Sequence, residues 1–325
     1  MPESAQRIDP ERVLVEDITA FEHDPLGFVL YAFPWGSGDL EGHDGPDAWQ
    51  RELLSDIGNE IITATQAIQI ARASGHDIGK SALVAWIILW AMSTREDTRG
   101  VVTANTEGQL RTKTWPEVAK WHRLSINAHW FTVTATAIFS KDKAHEKTWR
   151  IDAIPWSESN TEAFAGLHNK GKRIVLIFDE ASAIIDAIWE VSEGALLDSD
   201  TEIIWCVFGN PTRNTGRFRE CFGRLKHRWN HKQIDSRSCK IANKQKIGQW
   251  IEDYGEDSDF VRVRVRGIFP RASSMQFIPS DLAEGALGRI YHESEYMYAP
   301  RIMGVDIARF GDDQTVICKR QGLAC

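Results

Sequence analysis

The eight residues from Ser74 to Ser81 read Ser-Gly-His-Asp-Ile-Gly-Lys-Ser, one glycine short of a complete phosphate-binding loop. They lie between two apolar stretches, 67–71 and Ala82 to Met92, which predict a strand and a buried helix. A loop in this position can hold a nucleoside triphosphate, because backbone N–H groups and the helix N-terminus face the phosphates. Lys80 fits the lysine that reaches the outer phosphates, and Ser81 fits the hydroxyl that binds magnesium. The pattern indicates a nucleoside triphosphatase.

A second group with chemical potential stands 99 residues after Lys80, where the apolar run 174–178 ends in Asp179 and Glu180. Open α/β sheets bind ligands at the carboxyl ends of their strands. There Asp179 could hold magnesium and Glu180 could polarise the water that attacks the γ-phosphate. Alternatively, the two acids cap a helix that begins at Ala181.

Three further polar residues are weaker candidates. Asn210 and Thr212 follow the next apolar run, where they could sense the γ-phosphate and transmit its hydrolysis. The sequence 209–211, Gly-Asn-Pro, equally describes a simple turn. Gln50 follows Trp49 and could pair with a purine edge, although a tryptophan in the core at a helix start is a common alternative.

Strand and helix patterns alternate along most of the chain. We expect a mainly parallel α/β sheet, because helices separate most of the strands. The predicted strands are 67–71, 101–104, 131–139, 174–178 and 203–208, and the predicted helices include 47–57, 80–93, 107–124 and 181–197.

The composition is that of an ordinary soluble protein, with 325 residues, 42% hydrophobic residues and a formal net charge of −8. The acidic balance argues against a histone-like DNA coat but allows DNA contact through a local basic surface. The longest apolar run is shorter than the roughly 20 residues of a membrane span. Five cysteines without paired spacing indicate reduced thiols, and thus a cytoplasmic protein.

The pattern changes after about residue 236. A polar helical segment comes first, and residues 260–267 then alternate valine with arginine, which predicts a half-exposed strand. Two more strands, 302–307 and 315–319, flank a turn. We therefore expect an amino-terminal segment (1–45), a phosphate-loop domain (46–235), a lid or linker subdomain (236–300) and the start of another domain (301–325).

The ordered motifs resemble the large terminase subunit of tailed bacteriophages. The motifs are Trp49-Gln50, Ser74–Ser81, Val102-Thr-Ala-Asn105, Ile177-Phe-Asp-Glu180, Phe208-Gly-Asn-Pro-Thr212 and Met303-Gly-Val-Asp306. The resemblance implies a RecA-like ATPase of the ASCE class, with a mainly parallel sheet flanked by helices. A small lid subdomain and the first hairpin of an RNase H-like nuclease would follow.

The resemblance also implies roles for individual residues. The loop, with Ser74, Gly75, His76, Asp77, Ile78, Gly79, Lys80 and Ser81, would bind ATP together with Gln50. Ser81 and Asp179 would hold Mg²⁺, Glu180 would be the catalytic base, and Asn210 and Thr212 would couple hydrolysis to motion. Asp306 would be the first nuclease metal ligand.

The implied partners are double-stranded DNA, a small terminase subunit and the portal protein of the procapsid, with no membrane. The subunits would act as a homo-oligomeric ring in the cytoplasm of the bacterial host.

Three departures from the family pattern bear on activity. Ser74 replaces the leading glycine, which a small residue tolerates if its backbone stays in an allowed region. Asp77 places an acid beside the phosphates, where glycine is usual, and this predicts weaker nucleotide binding and strain if its φ is positive. With about 25 residues after Arg301, the nuclease would be incomplete, so we expect no independent DNA cleavage.

Two other functions fit these observations. A helicase-like ATPase would share the core fold but would require further nucleic-acid motifs. An inactive prophage remnant, suggested by Asp77 and the short nuclease, would fold without hydrolysing ATP.

Overall fold

The computed structural model describes residues 9–63, 67–104, 106–156, 167–197, 200–271, 285–287, 289–308 and 315–324. The chain divides into two compact units, Met1–Pro270 and Arg271–Cys325. None of the described helices is both long and apolar enough to cross a bilayer.

The larger unit contains helices on both sides of a long sheet. The α-helices are α1 (Pro10–Thr19), α2 (Pro25–Ala32), α3 (Ala48–Thr63), α4 (Lys80–Thr94), α5 (Glu107–Gln109), α6 (Trp115–Leu124), α7 (Asp186–Glu193), α8 (Arg217–Glu220), α9 (Lys244–Tyr254) and α10 (Asp259–Arg264). A π-helical turn, Leu110–Thr114, joins α5 to α6. The shorter 3₁₀ turns are Gly38–Leu40, Ala128–Trp130, Ala181–Ala183, Gly194–Leu197, Lys226–Arg228 and Ser236–Ser238.

Eight strands make up the sheet of this unit. They are β1 (Ile68–Ser74), β2 (Arg99–Ala104), β3 (Phe131–Val133), β4 (Ala137–Ser140), β5 (Arg150–Ala153), β6 (Arg173–Asp179), β7 (Glu202–Gly209) and β8 (Asn230–Ile234). Their spatial order is β3-β4-β5-β2-β6-β7-β1-β8. In this spatial order, the six neighbouring strands β5, β2, β6, β7, β1 and β8 are parallel to one another. Strand β4 is antiparallel to both of its neighbours. This confirms the predicted mainly parallel sheet.

The order of the strands places the predicted site residues at one edge. β7 lies between β1 and β6, so the loop after β1 and the acids after β6 are two strand spacings apart, or about 10 Å. Because the three strands are parallel, their carboxyl ends meet at the same edge of the sheet.

The sheet is covered on both faces, which explains the continuous apolar run of β6. Val175 and Ile177 belong to the hydrophobic core on one face, together with α4. Leu176 and Phe178 belong to the core on the other face, together with α7. Alternate residues of one strand therefore build two separate cores, as expected for a sheet between two helical layers.

One predicted strand is a helix. The alternation over residues 260–267 predicted a half-exposed strand, but Asp259–Arg264 forms α10. Ser258 caps this helix, since its side-chain oxygen accepts a hydrogen bond from the Val261 N–H at 3.3 Å. Val261 and Val265 are both buried, because residues four apart share a helix face just as alternate residues share a strand face. The strand prediction was wrong because it ignored the cap.

Two other elements differ in extent from the prediction. The predicted strand 131–139 is the hairpin of β3 and β4, and the predicted helix 181–197 begins as an α-helix only at Asp186. The strands β5 and β8 were not predicted. Both are short, and β8 carries the polar sequence Asn-His-Lys-Gln-Ile.

The smaller unit contains the predicted hairpin. Its strands, β9 (Arg301–Asp306) and β10 (Val316–Gln321), pair antiparallel with Asp306 opposite Val316. A helical turn, α11 (Glu293–Tyr296), precedes them. The acids Asp312 and Asp313 of the predicted turn lie outside the described residues.

Candidate active site

The phosphate loop joins β1 directly to α4, as the sequence predicts. Gly79 caps α4 in the left-handed region, with φ of 81°. This positive φ favours glycine, and a Cβ there would also lie 2.9 Å from the side-chain nitrogen of Gln50, so a larger residue would displace that amide. Asp77 also has a positive φ, 53°, which bears out the strain expected at this non-glycine position. Ser74 ends β1 in an ordinary extended conformation.

The second half of the loop, which includes Ile78 and Gly79, is supported by α3. The Trp49 indole N–H donates to the Ile78 carbonyl at 3.1 Å, and the Gln50 side-chain amide donates to the Gly79 carbonyl at 2.9 Å. The Gln50 side-chain oxygen accepts from the Asp47 N–H at 2.7 Å. Both ends of the Gln50 amide are thus used within the chain, and its pairing with a purine stays a prediction.

The first half of the loop, which includes Gly75 and His76, is supported by residues 234–267, which we call the clamp segment. The Gly75 N–H donates to the Ile234 carbonyl at 3.1 Å, and the His76 N–H donates to the Arg264 carbonyl at 2.8 Å. A Cβ on Gly75 would lie 2.4 Å from the Val265 carbonyl oxygen, so the two backbones touch. Loop and clamp segment are therefore held together by main-chain contacts.

Lys80, the first residue of α4, reaches the ends of β1 and β7. Its ammonium lies 3.2 Å from the Ser74 hydroxyl and 3.5 Å from the Asn210 side-chain oxygen. Asn210 in turn donates to the Ser74 carbonyl at 2.6 Å. The structure thus brings Asn210 to the predicted phosphate-binding lysine.

The two acids after β6 differ in environment. Asp179 is buried, whereas Glu180 is half-buried and has a φ of 52° in the left-handed region. Burial and the nearby Glu180 charge raise the pKa of Asp179 above its usual range, and a hydrogen bond from Thr114 opposes this shift. Neither acid caps an α-helix, since α7 begins at Asp186 with Ile185 as its cap residue. A 3₁₀ turn, Ala181–Ala183, does begin after Glu180, which occupies its N-cap position without a side-chain capping hydrogen bond.

The remaining predicted residues are placed as follows. Ser81, the second residue of α4, is half-buried at the mouth of the loop. Thr212 is exposed, and its hydroxyl lies 3.0 Å from that of Ser182, two residues after Glu180. Asp306 lies in the smaller unit, and Asn105 lies outside the described residues.

A cavity of about 430 Å³ adjoins the loop on the α3 side. Gln50, Gly79 and Ala82 form its inner wall. Its aromatic and charged walls are formed by Trp35, Trp86, Trp121, Asp39, Asp44, Lys120 and Lys240. A flat, largely apolar group with polar edges fits such walls.

Two basic side chains near the loop, His76 and Arg72, have surroundings that fix their roles. Burial, followed by the charges of Lys80 and Arg264, lowers the pKa of His76, which keeps this imidazole neutral near pH 7. Arg72, two residues before the loop, is buried and paired with Asp56 of α3 at 2.8 Å. Its guanidinium is therefore committed to a structural contact.

The sequence did not single out Thr114. Its hydroxyl donates to Asp179 at 2.6 Å from the π-helical turn before α6. A single threonine in a predicted helix carries no signal, because its partner lies 65 residues away in the chain. Only the observation that predicted helix 107–124 passes the end of β6 could have found it.

Together these residues can hold an anion. The Lys80 ammonium and the N-terminus of α4 would face the anion, and the carboxyl groups of Asp179 and Glu180 lie two strands away in the sheet. Oxygen ligands from a hydroxyl and a carboxylate are those that Mg²⁺ prefers. Asp179 has no ion pair in the part of the chain that the structure describes, and its pKa is raised by burial. This donor set therefore fits a divalent cation.

Comparison with known proteins gives a consistent result. No family model matches the chain. The chain is 26% identical over 277 residues to a probable terminase large subunit of Enterobacteria phage P7, covering 80% of this chain and 53% of that protein. It thus spans about half the length of the curated relative that it matches.

Two solved structures have the same fold. The large terminase of bacteriophage HK97 matches with a TM-score of 0.56 and 12% identity, over 88% of this chain and 62% of that one. The large terminase of a thermophilic bacteriophage, solved in complex with ADP, matches with a TM-score of 0.50 and 13% identity, over 81% and 63%. The larger unit therefore has the mainly parallel, RecA-like α/β fold of these structures, and the chain is similar in sequence to a bacteriophage terminase large subunit.

Proposed function

We propose that the chain binds ATP with Mg²⁺ at the carboxyl edge of the main sheet and hydrolyses it to move double-stranded DNA into a procapsid. The observation that carries this proposal is the convergence of Lys80, Asn210 and the Asp179–Glu180 pair at the ends of three parallel strands. The likeness to terminase large subunits, one of them solved with ADP, supports the choice of nucleotide and of task.

The loop and α4 would bind the triphosphate. The N–H groups of the first turn of α4 have no partners within their own helix and can donate to phosphate oxygens. The Lys80 ammonium would exchange the Ser74 hydroxyl and Asn210 for the outer phosphates. The base would enter the cavity beside Gln50, against the tryptophans that line it.

Ser81 and Asp179 would hold the Mg²⁺ ion, which when bound neutralises charge on the phosphates. Glu180 would orient the attacking water and accept its proton. Its side chain begins at the end of β6 and is not buried, so solvent can reach it. Asn210 contacts both Lys80 and the end of β1. A change at the phosphates that moves Lys80 would therefore shift the end of β7 and Thr212 beyond it.

The partners of a packaging motor extend this proposal. Subunits would assemble as a ring on the portal protein in the cytoplasm of the infected bacterium, and a small terminase subunit would help to select the DNA. These assignments are what the resemblance to terminase large subunits implies, and the likeness to a probable terminase large subunit of phage P7 supports that resemblance.

The test is a steady-state ATPase assay with and without double-stranded DNA. We expect Mg²⁺-dependent hydrolysis that DNA stimulates, and Lys80→Ala should lower it at least about 100-fold because phosphate charge is left unneutralised. Asn230→Ala, a change at the outer edge strand β8, is a control that should keep most of the activity. If the wild-type chain hydrolyses no ATP at any protein concentration, the proposed function is wrong.

A further inference from the structure

Thr114 makes a short buried contact with the carboxylate that is proposed to hold the ion. Its hydroxyl donates to one oxygen of Asp179 at 2.6 Å, and Thr114 and Asp179 are only 1% and 5% exposed. In such surroundings a hydrogen bond is electrostatically stronger than in water, because the local dielectric constant is low. It therefore fixes the orientation of this carboxylate.

The other oxygen of Asp179 is also held. It accepts the N–H of Glu180 at 3.0 Å. One bond comes from the strand end itself and the other from a separate helix, so the carboxylate plane is defined from two directions. Each oxygen keeps lone pairs for further partners.

The backbone around Thr114 is unusual. Residues Leu110–Thr114 form a π-helical turn, a geometry that is rare and frequent at functional sites. Leu110, which begins this turn, and Trp115, which follows it, are buried, and the Trp115 indole donates to the Thr134 carbonyl at 2.7 Å. A helical threonine commonly bonds a carbonyl of its own helix, as the neighbouring Thr112 does with Gly108 at 2.7 Å. Thr114 instead turns to Asp179.

We propose that Thr114 is a positioning residue for the divalent cation: it holds the Asp179 carboxylate so that its remaining lone pairs face the phosphate loop. This inference rests on the proposed function of the site. Loss of the Thr114 hydroxyl should weaken the contribution of the cation to nucleotide binding, while leaving the metal-free binding of nucleotide unchanged.

The experiment compares three variants of the whole chain. Thr114→Val removes the hydroxyl and keeps the shape, Thr114→Ser restores the hydroxyl, and Thr112→Val removes a hydroxyl from the same turn without touching Asp179. For each, the affinity of a fluorescent non-hydrolysable ATP analogue is measured with and without Mn²⁺, which takes the same oxygen ligands as Mg²⁺. Thermal melting shows whether each variant is folded.

We expect Thr114→Val to reduce the affinity gained on adding Mn²⁺ about tenfold, the usual effect of losing a hydrogen bond to a charged group. Thr114→Ser and Thr112→Val should keep the gain of the wild type. An unchanged gain in Thr114→Val overturns the inference. So does an equal loss with and without Mn²⁺, or an equal loss in Thr112→Val, since either would show a general role in shape.

Failure of the proposed function has a different signature. A wild-type chain that binds the analogue more tightly with Mn²⁺ but hydrolyses no ATP would disprove the ATPase and leave the role of Thr114 to be decided by the variants.

Discussion

At the edge of the main sheet where β6 and β7 begin, Arg173 is completely buried, yet each part of its guanidinium has a partner. It pairs with Glu202, donates to the Thr94 hydroxyl at 2.8 Å and lies 4.2 Å from the centre of the Trp90 ring. At the opposite edge, where β6 ends, the buried Asp179 is held by a hydroxyl and an amide instead of a cation. The same strand thus begins with a buried charge that has an ion pair and ends with a buried carboxyl group that has none within the described residues.

Backbone strain does not distinguish the two edges. Asp77 and Glu180 at the carboxyl edge are non-glycine residues in the left-handed region, and so are Asp97 and Asp200, which precede β2 and β7 at the opposite edge. The difference is the pairing of buried charge, since a buried carboxylate without an ion pair reduces stability and tends to be kept where chemistry requires it. The amino edge, where β6 and β7 begin, therefore stabilises the fold, and the carboxyl edge is available for a ligand.

The largest effect should come from the carboxyl edge. We expect Glu180→Gln to lower ATP hydrolysis about 1000-fold, because an amide cannot accept the proton of the attacking water. The melting temperature should change little, since Glu180 is only half-buried. Glu190→Gln, at an exposed position of α7, is the matched control and should keep full activity. Equal rates for the two variants would remove Glu180 from the mechanism.

The amino edge should respond in the opposite manner. Arg173→Met should lower the free energy of unfolding by about 3–5 kcal/mol, because it leaves Glu202 partly buried without its main partner. Arg12→Met, which breaks an exposed pair with Glu16, should change it by less than about 1 kcal/mol. Urea unfolding followed by circular dichroism measures both. Similar values for the two variants would show that the buried pair has no special weight.

A smaller effect is expected at Asp77. Asp77→Asn removes the acid, and Asp77→Gly also removes the strain of a positive φ. We expect either variant to bind ATP several-fold more tightly, since Asp77 is exposed and its charge is screened by water. Isothermal titration calorimetry distinguishes charge from strain: a gain seen only in Asp77→Gly would assign the effect to the backbone. Equal ATP affinity in all three proteins would rule out any effect of Asp77.

The smallest effect is the pH dependence of stability at the amino edge, where His145 contacts Asp97 just before β2. A hydrogen bond to Asp97, with the charges of Asp97, Glu96 and Asp142, raises the pKa of His145. Because the folded pKa is the higher one, this contact stabilises fully below pH 6.5 or so and is lost as pH rises through the folded value.

The difference in melting temperature between the wild type and His145→Gln should accordingly shrink from pH 5.5 to pH 8.5. The exposed His227→Gln gives the background for a histidine substitution. A difference that is constant with pH would mean that His145 acts through packing alone.

The sequence was most informative where one local pattern had one structural solution. The apolar run of β6 could only be a covered central strand, and the glycine before Lys80 had to cap a helix. Arg262, Arg264 and Arg266 were misassigned because alternating valine and arginine fits a strand and a helix face equally well. Strand β8 escaped notice because its residues are polar and its place beside β1 depends on backbone pairing.

The candidate site was predictable in the same measure. Lys80, Asp179 and Glu180 follow from strand and helix ends, which sequence patterns locate. The internal hydrogen bonds of Gln50 and the contact of Thr114 with Asp179 depend on how α3 and the π-helical turn pack, and side-chain chemistry alone does not specify that.

The clamp segment gives the phosphate loop a second, measurable property. The amide protons of Gly75 and His76 are tied to carbonyls of Ile234 and Arg264, so neither can exchange with deuterium while the two segments stay in contact. Each separation of the clamp segment from the loop exposes both protons at once. Their deuterium uptake therefore measures how often the two part, and it can be read without attaching a probe to the protein.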